Sequence, residues 1–301
     1  MPDLYTAAAV FALSAAFLLA LRDTVGRLAV RGIDPVLGSS VTVVVSLIVL
    51  TSVSAAMGDF RTPLPASGRP AVYIALAGVL RITAARTLIL AATQHIGSAR
   101  TSATNSTNVF FASAIGVLFQ GDPLEMSFAA GSVLVLAGSI LVARSGSGQT
   151  GPISSRNNFK GIGLALMSAL ALGVSTVLAR KGIPAFASAN QANLYATAAG
   201  AIAFLPFLSG KLSKAELGSW PAKTWGLLCL TGAVASLGVT FLYLALARAP
   251  VVFAFPIAQS RPLFVIAIAW IFFQMHERIN LRVVAGAAAI ITGAVTLEVI
   301  S

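Results

Sequence analysis

Apolar residues run along this chain in blocks of about twenty, separated by short polar stretches. Ten blocks fit the pattern, at about 4–28, 34–57, 70–93, 98–119, 127–144, 160–180, 187–208, 221–246, 250–273 and 279–300. Such a block is long enough to cross roughly 30 Å of hydrocarbon as an α-helix. The runs are continuous and rich in Ala, Leu and Val, whereas a membrane strand alternates inward and outward residues over about ten positions, so strands are not expected. The one low-complexity stretch, Ser145–Phe159 (SGSGQTGPISSRNNF), falls between the fifth and sixth blocks. It divides the chain into a first unit at 1–145, a linker at 146–159 and a second unit at 160–301.

The two units repeat one another. A shift of 154 residues carries Asn105 onto Gln259, Ser106 onto Ser260, Phe110 onto Phe264, Phe119 onto Phe273 and Gln120 onto Gln274. The same shift carries Leu76 and Gly78 onto Leu230 and Gly232, and a one-residue slip then aligns Gly131 with Gly286 and Gly138 with Gly293. Five spans per unit is an odd number, so the second copy enters the membrane from the opposite side. The expected fold is an all-α membrane protein of ten transmembrane helices arranged as two inverted five-helix repeats. In secondary transporters built this way the substrate lies near the midplane, where the repeats meet.

Composition agrees with that pattern. Of 301 residues, 57% are hydrophobic and 10% charged, with a mean hydropathy of +0.90. A soluble domain carries about 25% charged residues. A net charge of +11 would point to nucleic acid in a soluble chain. Here the basic residues sit between or inside apolar blocks, where topology and a charged cavity account for them, and no nucleic-acid partner is expected. Cys229 is the only cysteine, and His95, His276 and the scattered carboxylates form no ligand cluster, so neither a disulfide nor a metal is expected. Phosphate loops, His-Glu pairs and nucleophile elbows are absent, which removes the common enzyme and ATPase readings and leaves no cofactor. The N-terminal apolar run lacks a basic leader and is read as a retained first helix.

A five-plus-five chain with a short turn between spans 4 and 5, the polar turn His276-Glu277-Arg278-Ile279 and a following helix carrying Gly286 and Gly293 resembles the drug/metabolite transporter superfamily in its EamA-like branch. The resemblance covers the whole chain. It implies a secondary transporter of small metabolites, commonly an exporter, with helices 1, 3, 4, 6, 8 and 9 around a central cavity. The proline that the family places mid-span is present as Pro262. The matching position of the first half is Asn108, and the first acidic turn reads Gly121-Asp122-Pro123-Leu124-Glu125.

Three basic residues fall well inside spans: Arg81, Arg86 and Arg261. A central arginine costs about 2.5–3.5 kcal/mol on insertion scales, so it faces a cavity or a partner. Asp23 is the best-placed carboxylate, and Arg86 is the arginine expected to take it. Arg81 and Arg261 remain as anion-recognising groups near the midplane. Asn105 and Asn108, three apart on span 4, are expected to share a helix face and to form a polar cradle with Gln259. Tyr243, with Ser175, Thr176 and Ser236, is a further lining position. Pro256 and Pro262 remove backbone donors from span 9 and mark it as a hinge. His95, at the end of span 3, is interfacial and offers a route to proton coupling.

These residues describe a secondary active transporter, an exporter or exchanger, of a small polar anion such as an amino acid or an organic or phosphorylated acid. Its partners would be that solute, the bilayer and a coupled proton or exchanged solute, with the chain a monomer or homodimer in the inner membrane of a bacterial or archaeal cell. A flippase for a lipid or lipid phosphate would use the same arginines, and lateral portals between spans would distinguish it. An integral membrane enzyme acting on a lipid phosphate needs a carboxylate or histidine cluster that the sequence lacks. A purely structural subunit leaves the central arginines without a role. Orientation is read two ways. Twelve loop Lys and Arg residues fall on the face that carries the linker and five on the other, which puts the linker in the cytoplasm and both termini outside. The family resemblance implies termini in the cytoplasm.

Overall fold

The computed structural model describes residues 2–29, 33–62, 68–122, 155–212 and 220–273, with a few single positions beyond them. Most of spans 5 and 10, the linker and the His276–Ile279 turn lie outside the described residues. Among the described residues nearly all are helical and none forms a strand. The helices are α1 (Pro2–Ala29), α2 (Pro35–Met57), α3 (Gly68–Gly78), α4 (Arg86–Asn105), α5 (Asn108–Gln120), α6 (Ser155–Gly182), α7 (Ala189–Leu212), α8 (Ala222–Leu246), α9 (Val251–Ala258) and α10 (Arg261–Phe273). Five of the described helical stretches are long and apolar enough to cross a membrane alone.

Local chemistry sets the helix starts. Pro35 opens α2 at a position where its missing N–H costs nothing, and the Asp34 side chain accepts the Val36 N–H at 2.7 Å. Ser188 and Gln191 cap α7 reciprocally: Ser188 Oγ accepts the Gln191 N–H, and Gln191 Oε1 accepts the Ala187 N–H, both at 2.9 Å. Span 3 is longer than the apolar block suggests. It runs through α3, a π-helical segment at Val79–Ala85 and the first part of α4, and ends at Gly97, whose φ of 78° favours a residue without Cβ.

Span 4 then comprises the rest of α4 and α5, interrupted at Ser106–Thr107. Span 9 comprises α9 and α10, interrupted at Gln259–Ser260. The 154-residue shift carries Ser106 onto Ser260, so both repeats break the same helix at the same place. Only the second copy has prolines there. Pro256 lies inside α9, and Pro262 is the second residue of α10, where it initiates the helix and does not kink it.

The inversion is visible where the repeats touch. Asp122, after the C-terminus of α5, accepts the backbone N–H of Val251 at the N-terminus of α9 at 2.9 Å. Gln259, at the far end of α9, donates to Asn108 at the start of α5 at 2.7 Å. Spans 4 and 9 therefore run antiparallel, as inverted copies must. The glycines repeat the relation. A Cβ on Gly78 would lie 1.7 Å from the Ala196 carbonyl oxygen, and one on Gly232 would lie 2.7 Å from the Thr42 carbonyl oxygen. Residues 42 and 78 become 196 and 232 under the same shift. Small residues at these crossings allow backbone contact, which holds helices together where lipid supplies no hydrophobic drive.

Burial is that of a protein in lipid. Leu118 and Phe119 are 76% and 69% exposed on the outside of α5, while Asn108 of the same helix is 2% exposed. The apolar core gathers at the span ends remote from the linker, around α9, the first half of α1, α6 near Val177 and α7 near Ala192. Buried carboxylates close that end. Asp59 accepts the Ser188 hydroxyl at 2.7 Å, and Asp122 pairs with Arg180 at 2.5 Å.

Candidate functional site

The π-helical segment carries Arg81. A π turn inserts an extra residue into the helical path, re-aiming the side chains around it, and such turns recur at functional sites. Here Arg81 reaches α7: its Nη2 donates to Asn193 Oδ1 at 3.1 Å and to Thr197 Oγ1 at 3.3 Å. The guanidinium lies 5.7 Å from the centre of the Tyr243 ring on α8. Its Nε and Nη1 are buried and make no hydrogen bond, and neither does the buried Tyr243 hydroxyl. No described carboxylate lies within salt-bridge distance of Arg81. A cation is thus held in the protein interior by neutral acceptors alone, with donors to spare beside a spare hydroxyl.

Those acceptors belong to a larger polar chain. Asn193 Nδ2 donates to the Ser236 carbonyl and to Thr240 Oγ1, both at 3.1 Å. Thr240 donates in turn to Asn190 Oδ1 at 3.3 Å. Asn190 Nδ2 donates to the Leu50 carbonyl at 3.1 Å and to Ser54 Oγ at 2.8 Å. The network ties α2, α7 and α8 to the π segment and contains no charged group other than Arg81. Asn193 and Thr197 are not singled out by the block pattern. Their signal is the run Asn190-Gln191-Ala192-Asn193 in a span otherwise apolar, all three amides being buried.

The two broken spans meet at the second cluster. Asn108 accepts from Gln259, and Arg261 donates to Gln259 Oε1, so the three residues form one hydrogen-bonded chain at the crossing of spans 4 and 9. Asn105 does not join it. The break at Ser106–Thr107 removes the shared face expected of Asn105 and Asn108, and Asn105 Oδ1 accepts instead from Ser168 of α6 at 3.0 Å. The expected pairing of Arg86 with Asp23 is also corrected. Asp23 is taken by its neighbour Arg22, with Nε donating at 2.9 Å, and Arg86 donates to the Ser39 carbonyl at 3.1 Å. Arg86 is thus satisfied by α2 backbone.

The remaining lining positions are spent on backbone. Ser175 donates to the Ala77 carbonyl, Thr176 to Leu172 and Ser236 to Ala233, at 2.7–2.9 Å. Of the four proposed lining hydroxyls, Tyr243 alone is buried without a partner. His95 is half-buried where span 3 meets α6 beside Gly161. At the end remote from the linker, Arg180 bridges Gln120 Oε1 at 2.7 Å and Asp122, while Gln120 Nε2 donates to the Val177 carbonyl at 2.6 Å. Asp122 and Arg180 read as loop residues in the block pattern, yet together they join spans 4, 6 and 9. Among the described residues no three His, Cys, Asp or Glu side chains group to hold a metal.

Comparison with known proteins bears on both fold and class. The model of the EamA-like transporter family matches residues 6–144 and again 159–298. A crystal structure titled only as that of a protein superposes with a TM-score of 0.79 at 16% identity, over 98% of this chain and 99% of the other, a likeness of fold. No curated protein matches.

Proposed function

Because the chain belongs to the EamA-like transporter family, and so is a multi-pass membrane transporter of the drug/metabolite type, we propose that its cargo is a small polar anion bearing a carboxylate or phosphate. Arg81 is the primary recognition group on this reading, with Tyr243 beside it. The observation that carries it is a buried guanidinium without a carboxylate partner and with Nε and Nη1 free of hydrogen bonds. A buried cation left in this state is costly, and a bound oxyanion removes the cost through short, charge-assisted hydrogen bonds. Arg261, Gln259 and Asn108 form the second polar cluster, where the broken spans cross, and orient the rest of the solute. Asn105 and Arg86 support the walls. Movement of α9 against α10 at the Gln259–Ser260 break, bounded by Pro256 and Pro262, and of the matching break in span 4, exchanges access between the two faces. With no ATP site in the sequence, uphill movement draws on a gradient or on exchange of a second solute.

The test is ligand-dependent thermal stabilisation of the purified protein against amino acids, organic acids, sugar phosphates and nucleotides, with neutral and cationic solutes as controls. Saturable stabilisation by anions, lost in Arg81→Gln, is expected. Stabilisation by cations or neutral solutes alone would contradict the reading.

A further inference from the structure

We infer that Asn193 is a positioning residue for the transport site: its amide holds Arg81 in place while keeping the guanidinium charge uncommitted for the solute. The inference rests on the reading of Arg81 as the anion-binding group. The orientation of the Asn193 amide is fixed by its surroundings. Its nitrogen faces the Ser236 carbonyl at 3.1 Å, a group that can only accept, so its oxygen must point toward Arg81 and Thr197. That oxygen accepts from Arg81 Nη2 at 3.1 Å and from the Thr197 hydroxyl at 3.3 Å. Thr197 Oγ1 accepts from the same Nη2 at 3.3 Å. One nitrogen of the guanidinium is therefore anchored twice, and Nε and Nη1 are left over.

A residue serving only to satisfy a buried arginine would ordinarily be a carboxylate, because an ion pair compensates the charge as well as the hydrogen bonds. Asn193 is the neutral isostere of aspartate at 1% exposure, and every further partner in its network is an amide, a hydroxyl or a backbone carbonyl. The side chain has the shape of a salt-bridge partner without the charge. It restrains the arginine, spares the rotamer entropy that ordering it during binding would cost, and leaves the electrostatic attraction to the solute.

The deciding variant is Asn193→Asp, which keeps the acceptor facing Arg81 and adds the charge. Acetate, succinate and inorganic phosphate are titrated against purified wild type, Arg81→Gln, Asn193→Asp and Thr197→Val, recording the melting temperature without anion and the apparent Kd for each anion. The expected result is at least a tenfold weaker Kd in Asn193→Asp, with the anion-free melting temperature within a few degrees of wild type. An interhelical tie with no role in binding would shift the melting temperature and leave the Kd alone. Wild-type affinity in folded Asn193→Asp overturns the inference. Should Asn193→Asp not fold, Thr197→Val decides, with a severalfold weaker Kd expected at a retained melting temperature and an unchanged Kd overturning it. If none of the three anions stabilises wild type, or if Arg81→Gln keeps the stabilisation, the parent reading fails and this one with it. Loss in Arg81→Gln but not in Asn193→Asp rejects the positioning role alone.

Discussion

At the scale of single residues, the distinction that matters is between polar groups that are satisfied and those that are not. Ser175, Thr176 and Ser236 turn their hydroxyls onto backbone carbonyls and hold helices in shape. Arg86 does the same toward Ser39. Tyr243 does not, and a buried hydroxyl without a partner costs about 1–3 kcal/mol. Tyr243→Phe removes that cost while keeping the ring under Arg81. The variant should melt no lower than wild type and should bind the stabilising anion about tenfold more weakly, the value of one hydrogen bond to a charged acceptor. Thermal melts with and without anion measure both quantities. The depth of Arg81 and Arg261 was legible from their place within apolar blocks. The partners were not, because a hydrogen bond between residues 112 positions apart, Arg81 to Asn193, leaves no mark on either local pattern. The same limit explains why Asp23 looked like the partner of Arg86: depth was readable, but the capture of Asp23 by adjacent Arg22 depends on rotamers.

At the scale of elements, the helices depart from regular geometry at the π segment and at the two breaks. The π segment was invisible in the sequence, since one extra residue in an apolar run changes no hydropathy average. The break in span 9 was announced by Pro256 and Pro262, whereas that in span 4 had only the polar run Asn105–Asn108 to mark it. The close crossings were legible as repeated glycines, and they carry a prediction. Gly78→Ala drives a methyl group into the Ala196 carbonyl and Gly232→Ala into that of Thr42, so both variants should melt lower than wild type. Overpacking of this kind costs about 1–3 kcal/mol, and the shorter approach at Gly78 makes it the more damaging site. The Asp122–Arg180 contact gives a second prediction. Asp122→Asn leaves Arg180 without its charge partner and weakens the cap on α9, a loss of about 3 kcal/mol by analogy with other buried pairs. A lower melting temperature that is not restored by Arg180→Gln in the double variant is expected, because the cap on Val251 stays impaired.

At the scale of the whole molecule, the inverted repeat was the most legible feature. A shift that matches residues across an odd number of spans admits one topology, and the antiparallel meeting of spans 4 and 9 is its direct consequence. Orientation depends on loop charge, with the linker face the more basic, so a fluorescent protein that matures only in the cytoplasm should be bright when inserted between Ser145 and Phe159. A dark, stably inserted fusion would place both termini in the cytoplasm. The account stands above all on Arg81 as the group that recognises the solute, and transport itself tests that most directly. Purified wild type and Arg81→Gln are reconstituted into liposomes, and uptake of the radiolabelled anion that stabilises wild type is measured against a preloaded unlabelled pool. The account predicts saturable counterflow by wild type and none by Arg81→Gln, although the variant reconstitutes equally and melts no lower. Undiminished uptake by Arg81→Gln, or a wild type that moves only neutral or cationic solutes, would contradict it.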